Sequence, residues 1–381
     1  MANPFKPTAG KMPPILVGRQ SVVDDFVEGL ENGAGAPGRL MLVSGQRGYG
    51  KTVMLAELRR VALARGWEVV SETAASGLCE RLVEALSPEH LRLQGARIEP
   101  SAGVAGLGTA SLGGVSFSAS ELGSLTLRKA IDERLKKAKR GKGVVITVDE
   151  AQAASMDDLA ALAVAFQHVV ADQDMTDAPD DEKRGVALVL AGLPSLVDEL
   201  VGDKVLTFLC RAQRQYLAEV PLPDTRDAYY EAVQGAGKRI ELEVAQRAAD
   251  AAEGHPYLIQ LVGYYMWRAA DLRGSDTVSA EDVERGRADA LSAYHEAVCA
   301  PTYYGLRSPQ RLFIEAMASD GGRPSSMRDI ALRTGRTPSW ASKYRASLIR
   351  EQVIEPAGHG LVRFAVPHLG DYINERIIWR D

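Results

Sequence analysis

The chain is poor in cysteine, with Cys79, Cys210 and Cys299 far apart and no C-x-x-C pair. That excludes a disulfide framework and offers no zinc-ligand spacing, so the three are read as core or incidental residues. Long hydrophobic runs are also missing. No apolar stretch reaches the roughly 18 residues of a membrane span, and the opening "MANPFKPTAGKMPP" has no signal-peptide apolar core. A cytoplasmic protein without a membrane partner is expected. Nor does one sign of charge dominate: 45 Lys and Arg face 50 Asp and Glu, a net −5 that does not announce nucleic acid. Hydrophobic residues, by contrast, make up 46% of 381 residues, enough for real cores in two or three domains.

Against that background "LMLVSGQRGYGKTVML", residues 40–55, carries three glycines within six residues, then a lysine and a hydroxyl. Gly45, Gly50, Lys51 and Thr52 fit G-x-x-x-x-G-K-[ST], the loop whose backbone N–H groups wrap phosphate oxygens. Glycine suits it because such a nest needs positive φ and close approach to bare backbone. Context supports the pattern. Leu40 to Val43 reads as a buried strand, and Val53, Leu55, Leu58, Val61 and Leu63 mark a helical face beyond the loop. The phosphates would sit at a helix N-terminus, where orphan N–H groups and the dipole favour anions. The nucleotide-binding set is therefore Gly45, Gln46, Arg47, Gly48, Tyr49, Gly50, Lys51, Thr52 and Val53. Lys51 would reach the β- and γ-phosphates of the nucleotide, and Thr52 would ligate Mg²⁺.

A phosphate loop calls for a second, acidic strand end, and "GVVITVDEAQ" supplies it: Val144 to Val148 is a β-branched run ending in Asp149 and Glu150. Asp149 would hold Mg²⁺, directly or through water, and Glu150 would polarise the water that attacks the γ-phosphate. Two carboxylates with separate tasks favour hydrolysis over phosphoryl transfer to a metabolite. A third strand starts near Val186 and turns at Gly192 to Pro194. Beyond it Arg211 and Arg214 are candidates for an arginine finger that serves a neighbouring subunit of a homo-oligomer; the alternative is a surface arginine on a helix. From Asp224 to Ala300 the pattern is predominantly helical, a lid after the nucleotide domain.

The charge average hides a division. Arg323, Arg328, Arg333, Arg336, Lys343, Arg345 and Arg350 face one acid, Asp329, in the stretch 323–350. The same region has an architecture. Ser308 with Pro309 opens a helix, Ser326 caps a second, Gly335 breaks the chain, and Thr337 with Pro338 starts a third. In that third helix Ala341, Tyr344 and Leu348 face inward, which leaves Ser339, Trp340, Ser342, Lys343 and Arg345 to point elsewhere. "VIEP", "AGHG" and "LVRFAVP" then form a hairpin, and the whole reads as a winged helix. Its second turn helix would enter the major groove of double-stranded DNA, with Arg336, Ser339, Lys343 and Arg345 as contacts and Arg363 on the wing. Winged helices also dock proteins, and Trp340 suits stacking or packing equally. Residues 95–124, rich in Gly, Ser and Ala, allow either a hairpin or a flexible connector, with the connector favoured.

In this order "ILVGR", "GQRGYGKT", "VVITVDE", "VLAGLPS", an Arg-bearing segment, "GHPYLIQLVG" and a terminal winged helix resemble an AAA+ ATPase of the origin-recognition and archaeal-ATPase type, related to signal-transducing P-loop ATPases. The resemblance spans nearly the whole chain. It implies an α/β fold: a P-loop parallel-sheet domain (1–222), a helical lid (223–302) and a C-terminal winged-helix domain (303–381). It also implies that Val17, Gly18 and Arg19 lie beside the adenine, and that Gly254, His255 and Pro256 bring the lid to the nucleotide. Two departures stand out. The first sensor is usually Asn, Thr or Ser, whereas here the strand ends Ala191, Gly192, Leu193, so Ser195 would have to stand in. The lid has no Arg near "GHPY", and Arg268, three turns later, is a poor substitute. Both favour a slow ATPase or a nucleotide switch. The leading expectation is an ATP-dependent DNA-binding ATPase; the alternative is a signalling switch whose winged helix docks a protein. A metabolic kinase would not place a winged helix after a helical lid.

Overall fold

The structure, a computed structural model, describes residues 2–8, 18–33, 35–46, 48–87, 109–112, 115–179, 182–194, 196 and 205–378. The chain divides into two compact units, Arg19–Gly45 with Gly50–Leu217, and Met1–Gly18 with Gln46–Tyr49 and Ala218–Asp381.

The first unit is α/β. Its elements run α1 (Gln20–Glu31), β1 (Leu40–Gly45), α2 (Lys51–Ala64), β2 (Glu68–Thr73), α3 (Leu78–Leu86), β3 (Thr109–Leu112), β4 (Val115–Ser118), α4 (Ala119–Leu135), β5 (Gly143–Asp149), α5 (Met156–Asp174), β6 (Gly185–Gly192) and β7 (Gln213–Leu217). Five strands make one sheet in the order β2-β5-β6-β1-β7, and every neighbouring pair is parallel. Parallel strands need crossovers, and helices supply most of them here, covering sheet faces so that the strands read as unbroken apolar runs. β6 is buried along its whole length and β5 up to its last residue, Asp149. Leu42, Ile146, Val148, Leu188 and Leu190 form a core with Leu78 and Leu82 of α3, Leu127 and Ile131 of α4, and Leu159, Leu162 and Phe166 of α5. Because all five strands point one way, the chain leaves β1 and β5 at the same edge, where ligands bind in open α/β sheets.

Between α3 and α4 the sequence favours a connector over a hairpin. The backbone instead pairs β3 with β4 antiparallel, Thr109 opposite Ser118 and Leu112 opposite Val115. Here the short alternation around Val115 and Phe117 wins over the glycine content. Residues 119–124 of the segment already belong to α4, while 95–108 and 113–114 lie outside the described residues.

The second unit is mainly helical: α6 (Leu222–Gly235), β8 (Arg239–Ile240), α7 (Leu242–Ala252), α8 (Pro256–Leu272), β9 (Thr277–Val278), α9 (Ala280–Tyr294), a π turn His295–Cys299, α10 (Ala300–Gly305) and α11 (Ser308–Ala318). Then come β10 (Ser325–Ser326), α12 (Met327–Thr334), α13 (Pro338–Arg350), β11 (Ile354–Pro356), β12 (Leu361–Phe364) and α14 (Leu369–Ile378). Tyr229, Trp267, Tyr294 and Phe313 belong to one continuous core. Phe5 joins it, packing edge-on to Tyr229 at 5.6 Å between centroids, while Asn3 Nδ2 donates to the Tyr264 carbonyl at 3.0 Å.

The last three strands form an antiparallel sheet in the order β10-β12-β11. As expected, Ser326 caps α12 by accepting from Arg328 N, and Thr337 caps α13 by accepting from Trp340 N. One boundary differs. α11 is capped by Arg307, one residue before Ser308, because Gln310 Oε1 accepts the Arg307 N–H at 2.9 Å and fixes the first turn there. α14 follows the hairpin as a further helix beyond the winged-helix elements expected from sequence.

Candidate nucleotide-binding site

Gly45 closes β1 and Lys51 opens α2, so the glycine loop joins a buried strand to a helix N-terminus. Gly48 and Gly50 have φ of 82° and 85°, the left-handed region that L side chains avoid and phosphate nests require. Lys51 is 6% exposed, and its Nζ donates to the Gly45 carbonyl at 2.9 Å. Its charge is thus held within the loop whose orphan N–H groups already favour an anion.

Thr52, one residue on, donates from Oγ1 to Asp149 Oδ2 at 2.6 Å. The two side chains come from α2 and the tip of β5, far apart in sequence, and meet through the sheet. A hydroxyl beside a carboxylate is an oxygen donor set suited to Mg²⁺, which binds through few protein oxygens and keeps waters and phosphates as other ligands. Thr52 and Asp149 are the residues that would hold it. Asp149 also accepts the Glu150 N–H through Oδ1 at 2.9 Å, and its carbonyl accepts from Ala74 N at 2.8 Å at the end of β2.

Glu150 has φ 52°, a left-handed conformation in a non-glycine residue. Such backbone costs on the order of 1–3 kcal/mol and persists only where its surroundings enforce it. The turn Ala151–Ala153 follows directly, and Gln152 Nε2 donates to Glu150 Oε2. Sequence reasoning gave Gln152 no part; its only signal was its place two residues after the acidic pair. On β6, Ala191 and Gly192 present no polar side chain, and Ser195 lies outside the described residues, as do Val17 and Arg47.

The loop tip residues Gln46, Gly48 and Tyr49 belong to the second unit. Gln46 Nε2 donates to Glu355 Oε2 of β11 at 2.7 Å. Tyr49 packs edge-on against His255 at 5.0 Å, and its hydroxyl lies 3.5 Å from Glu219 Oε1. His255 is the N-cap of α8, accepting from Leu258 N at its Nδ1, and Pro256 is the first residue of that helix. Gly48 and Tyr49 therefore meet the "GHP" segment. Gly18 has φ 64° and sits against Val220, Pro221 and Asp224; Arg19 precedes α1 in the other unit. Val53 is half-buried in α2.

Neither arginine candidate joins this cluster. Arg211 ends a short 3₁₀ turn and is exposed; it lines a small cavity with Leu40 and Val186 at the starts of β1 and β6, the opposite strand ends from Gly45. Arg214 is exposed on β7, a strand rather than the helix considered from sequence.

On the C-terminal module Arg336, Ser339 and Lys343 are exposed, as the sequence suggests. Arg345 is half-buried, and its Nε is buried without a hydrogen-bond partner. The reason is helical geometry: position 345 lies four after Ala341 and three before Leu348, both buried, so it shares their face. Trp340 packs against Tyr344 at 4.8 Å and Phe313 at 6.2 Å, which makes it a packing residue. Two of the basic side chains are ion-paired with acids that lie outside the stretch 323–350. Arg333 makes two bonds to Asp320, at 2.6 and 2.7 Å, and Arg363 is paired with Glu355.

Residues 15–174 match the family described as an AAA ATPase domain, and residues 296–373 match one described as a domain of unknown function (DUF8462). No curated protein matches the sequence. Solved structures resemble it along nearly its whole length. The Walker-type ATPase paby2304 of Pyrococcus abyssi has 16% identity and a TM-score of 0.60, over 94% of this chain and 96% of that one. The ORC2 protein of Aeropyrum pernix, solved with ADPNP and ADP, has 14% identity and a TM-score of 0.59, over 98% and 97%. Cdc6p of Pyrobaculum aerophilum has 15% identity and a TM-score of 0.51, again over 98% and 97%. Identity this low speaks to fold alone. The glycine loop and the acidic strand end both lie inside the stretch that matches the AAA ATPase domain, and the chain shares the fold of these solved structures. Among the described residues no helix is long and apolar enough to cross a membrane.

Proposed function

We propose that the protein binds ATP with Mg²⁺, hydrolyses it slowly, and uses the nucleotide state to control a grip on double-stranded DNA. The observation that carries the first part is the Thr52–Asp149 bond at 2.6 Å beside the buried Lys51, an arrangement that serves both a metal and a phosphate. Lys51 neutralises phosphate charge, Thr52 and Asp149 hold Mg²⁺, and Glu150 orients and polarises the attacking water. When bound, the metal supplies charge neutralisation on the phosphate oxygens. Gly254, His255 and Pro256 bring residues 223–302 to the nucleotide as a lid, with Val17, Gly18 and Arg19 beside the adenine. Arg211 or Arg214 would act only on a neighbouring subunit's nucleotide, since an arginine finger works where an interface delivers it.

Residues 303–381 supply the DNA contact as a winged helix, with α13 in the major groove and Arg336, Ser339 and Lys343 on its accessible side. Arg345 contributes through its terminal guanidinium nitrogens and Arg363 through the β11–β12 wing. ATP and ADP shift the DNA-binding state only if they bind its two conformations with different affinity. The test is binding of the purified protein to random duplex with ATP, ADP or no nucleotide, at low and moderate salt. Binding that requires ATP and fades steeply with salt is expected, because neutralised phosphates release counterions. No binding in any nucleotide state would overturn the DNA role and leave the winged helix as a protein-docking module.

A further inference from the structure

The end of β6 presents Ala191, Gly192 and Leu193, with no polar side chain beside the acidic tip of β5. A polar group is nevertheless there, delivered from the other strand. The turn after Glu150 carries Gln152 back toward β6, where its Oε1 accepts the Leu193 N–H at 3.1 Å, while its Nε2 donates to the Glu150 carboxylate. One amide therefore spans the carboxylate and the backbone of the next strand.

The orientation of that amide follows from its partners. An N–H group must face the carbonyl oxygen and a carboxylate must face the NH₂; the flipped amide would set oxygen against carboxylate and N–H against N–H. The approach also depends on what is missing from position 192. A Cβ there would lie 2.9 Å from Gln152 Oε1 and 2.7 Å from Leu196 Cδ2, closer than real Cβ atoms come to such neighbours. Glycine at 192 is the opening through which the amide reaches Leu193.

We infer that Gln152 is the positioning residue for Glu150, tying the hydrolytic carboxylate to the end of β6 in place of a polar side chain on that strand. Gln152 fixes the rotamer of a side chain whose own backbone is left-handed by holding one carboxylate oxygen, Oε2. This rests on the reading of Glu150 as the residue that polarises the attacking water.

Three variants test it by single-turnover and steady-state ATP hydrolysis, with nucleotide affinity and thermal midpoint measured on each protein. Gln152→Met keeps the volume and removes both hydrogen bonds; kcat should fall about 10- to 100-fold, the scale expected for a displaced catalytic group, with KM for ATP within about twofold. Gly192→Ala pushes the amide aside and should lower kcat by less. The double variant should match Gln152→Met alone, because both changes act through one interaction and their effects do not add. A Gln152→Met protein that binds ATP normally and turns over at or above the parental rate overturns the assignment, as does full additivity in the double variant. Glu150→Gln separates the two readings. If it is inactive while Gln152→Met is parental, only the positioning role fails; if it keeps parental turnover, both fail.

Discussion

The sheet unit and the C-terminal module use their charged residues in opposite ways. At the phosphate loop the decisive charge is buried and held by backbone: Lys51 bonds the Gly45 carbonyl, and Thr52 bonds Asp149 through the sheet. On the C-terminal module the basic residues lie largely at the surface, and part of their charge is met by nearby acids, Asp320 beside Arg333 and Glu355 beside Arg363. Strand ends and loop spacing set by backbone are readable in the sequence itself. A surface built from charge depends on partners that fall outside any short stretch of sequence.

That contrast sets the size of the expected effects. Lys51→Ala removes the central cation of a backbone-built site and should abolish ATP binding in a calorimetric titration; parental affinity would remove the loop from nucleotide binding. Glu150→Gln should leave ATP affinity within about twofold while hydrolysis falls at least about 100-fold, as for loss of a group acting mainly in the transition state. Arg336→Ala with Lys343→Ala should weaken duplex binding without changing basal ATP turnover. Its salt slope should become shallower by about 0.9 for each DNA phosphate that the variant no longer neutralises. An unchanged slope would place the DNA face elsewhere.

A smaller effect concerns the helical unit's own stability. Burial raises the Asp282 carboxyl, but hydrogen bonds from Arg273 and from the Ser279 backbone and hydroxyl outweigh it and hold it below the usual carboxylate range. A carboxylate with a depressed folded-state value stabilises the fold above its unfolded value, near 4, and loses that contribution as pH falls through the folded one. Urea unfolding should therefore show the parent losing stability below about pH 4. Ser279→Ala, which removes the hydroxyl half of a capping box, should cost about 1 kcal/mol near neutrality and flatten that acid loss. An equally steep loss in the variant would detach it from Asp282.

Much of the sheet unit was legible because the needed signals are local. A buried apolar run ending in Gly45, and another ending in Asp149, fix both strands and the edge at which they open. What sequence could not give was the meeting of side chains across strands. Gln152 reads as an unremarked polar residue until its amide is seen between Glu150 and Leu193. In the C-terminal module the caps at Ser326 and Thr337 were readable, since capping is a short-range hydrogen bond. Arg345 was misplaced because its charge suggested solvent while its position in the helix repeat put it on the face of Ala341 and Leu348. Charge is a preference; helical register is a geometric constraint, and here register prevailed.

The packing of Trp340 has an optical consequence. Three tryptophans fall among the described residues, and Trp67 and Trp267 are sealed in cores at 3% and 0% exposure. Trp340 is half-buried on α13, one residue from Ser339 and three from Lys343, with Tyr344 and Phe313 on its inner side. Among these three, emission that shifts or quenches on adding duplex would come chiefly from Trp340, and with Trp379, outside the described residues, replaced by Phe, the third helix of the C-terminal module becomes its own reporter without a label.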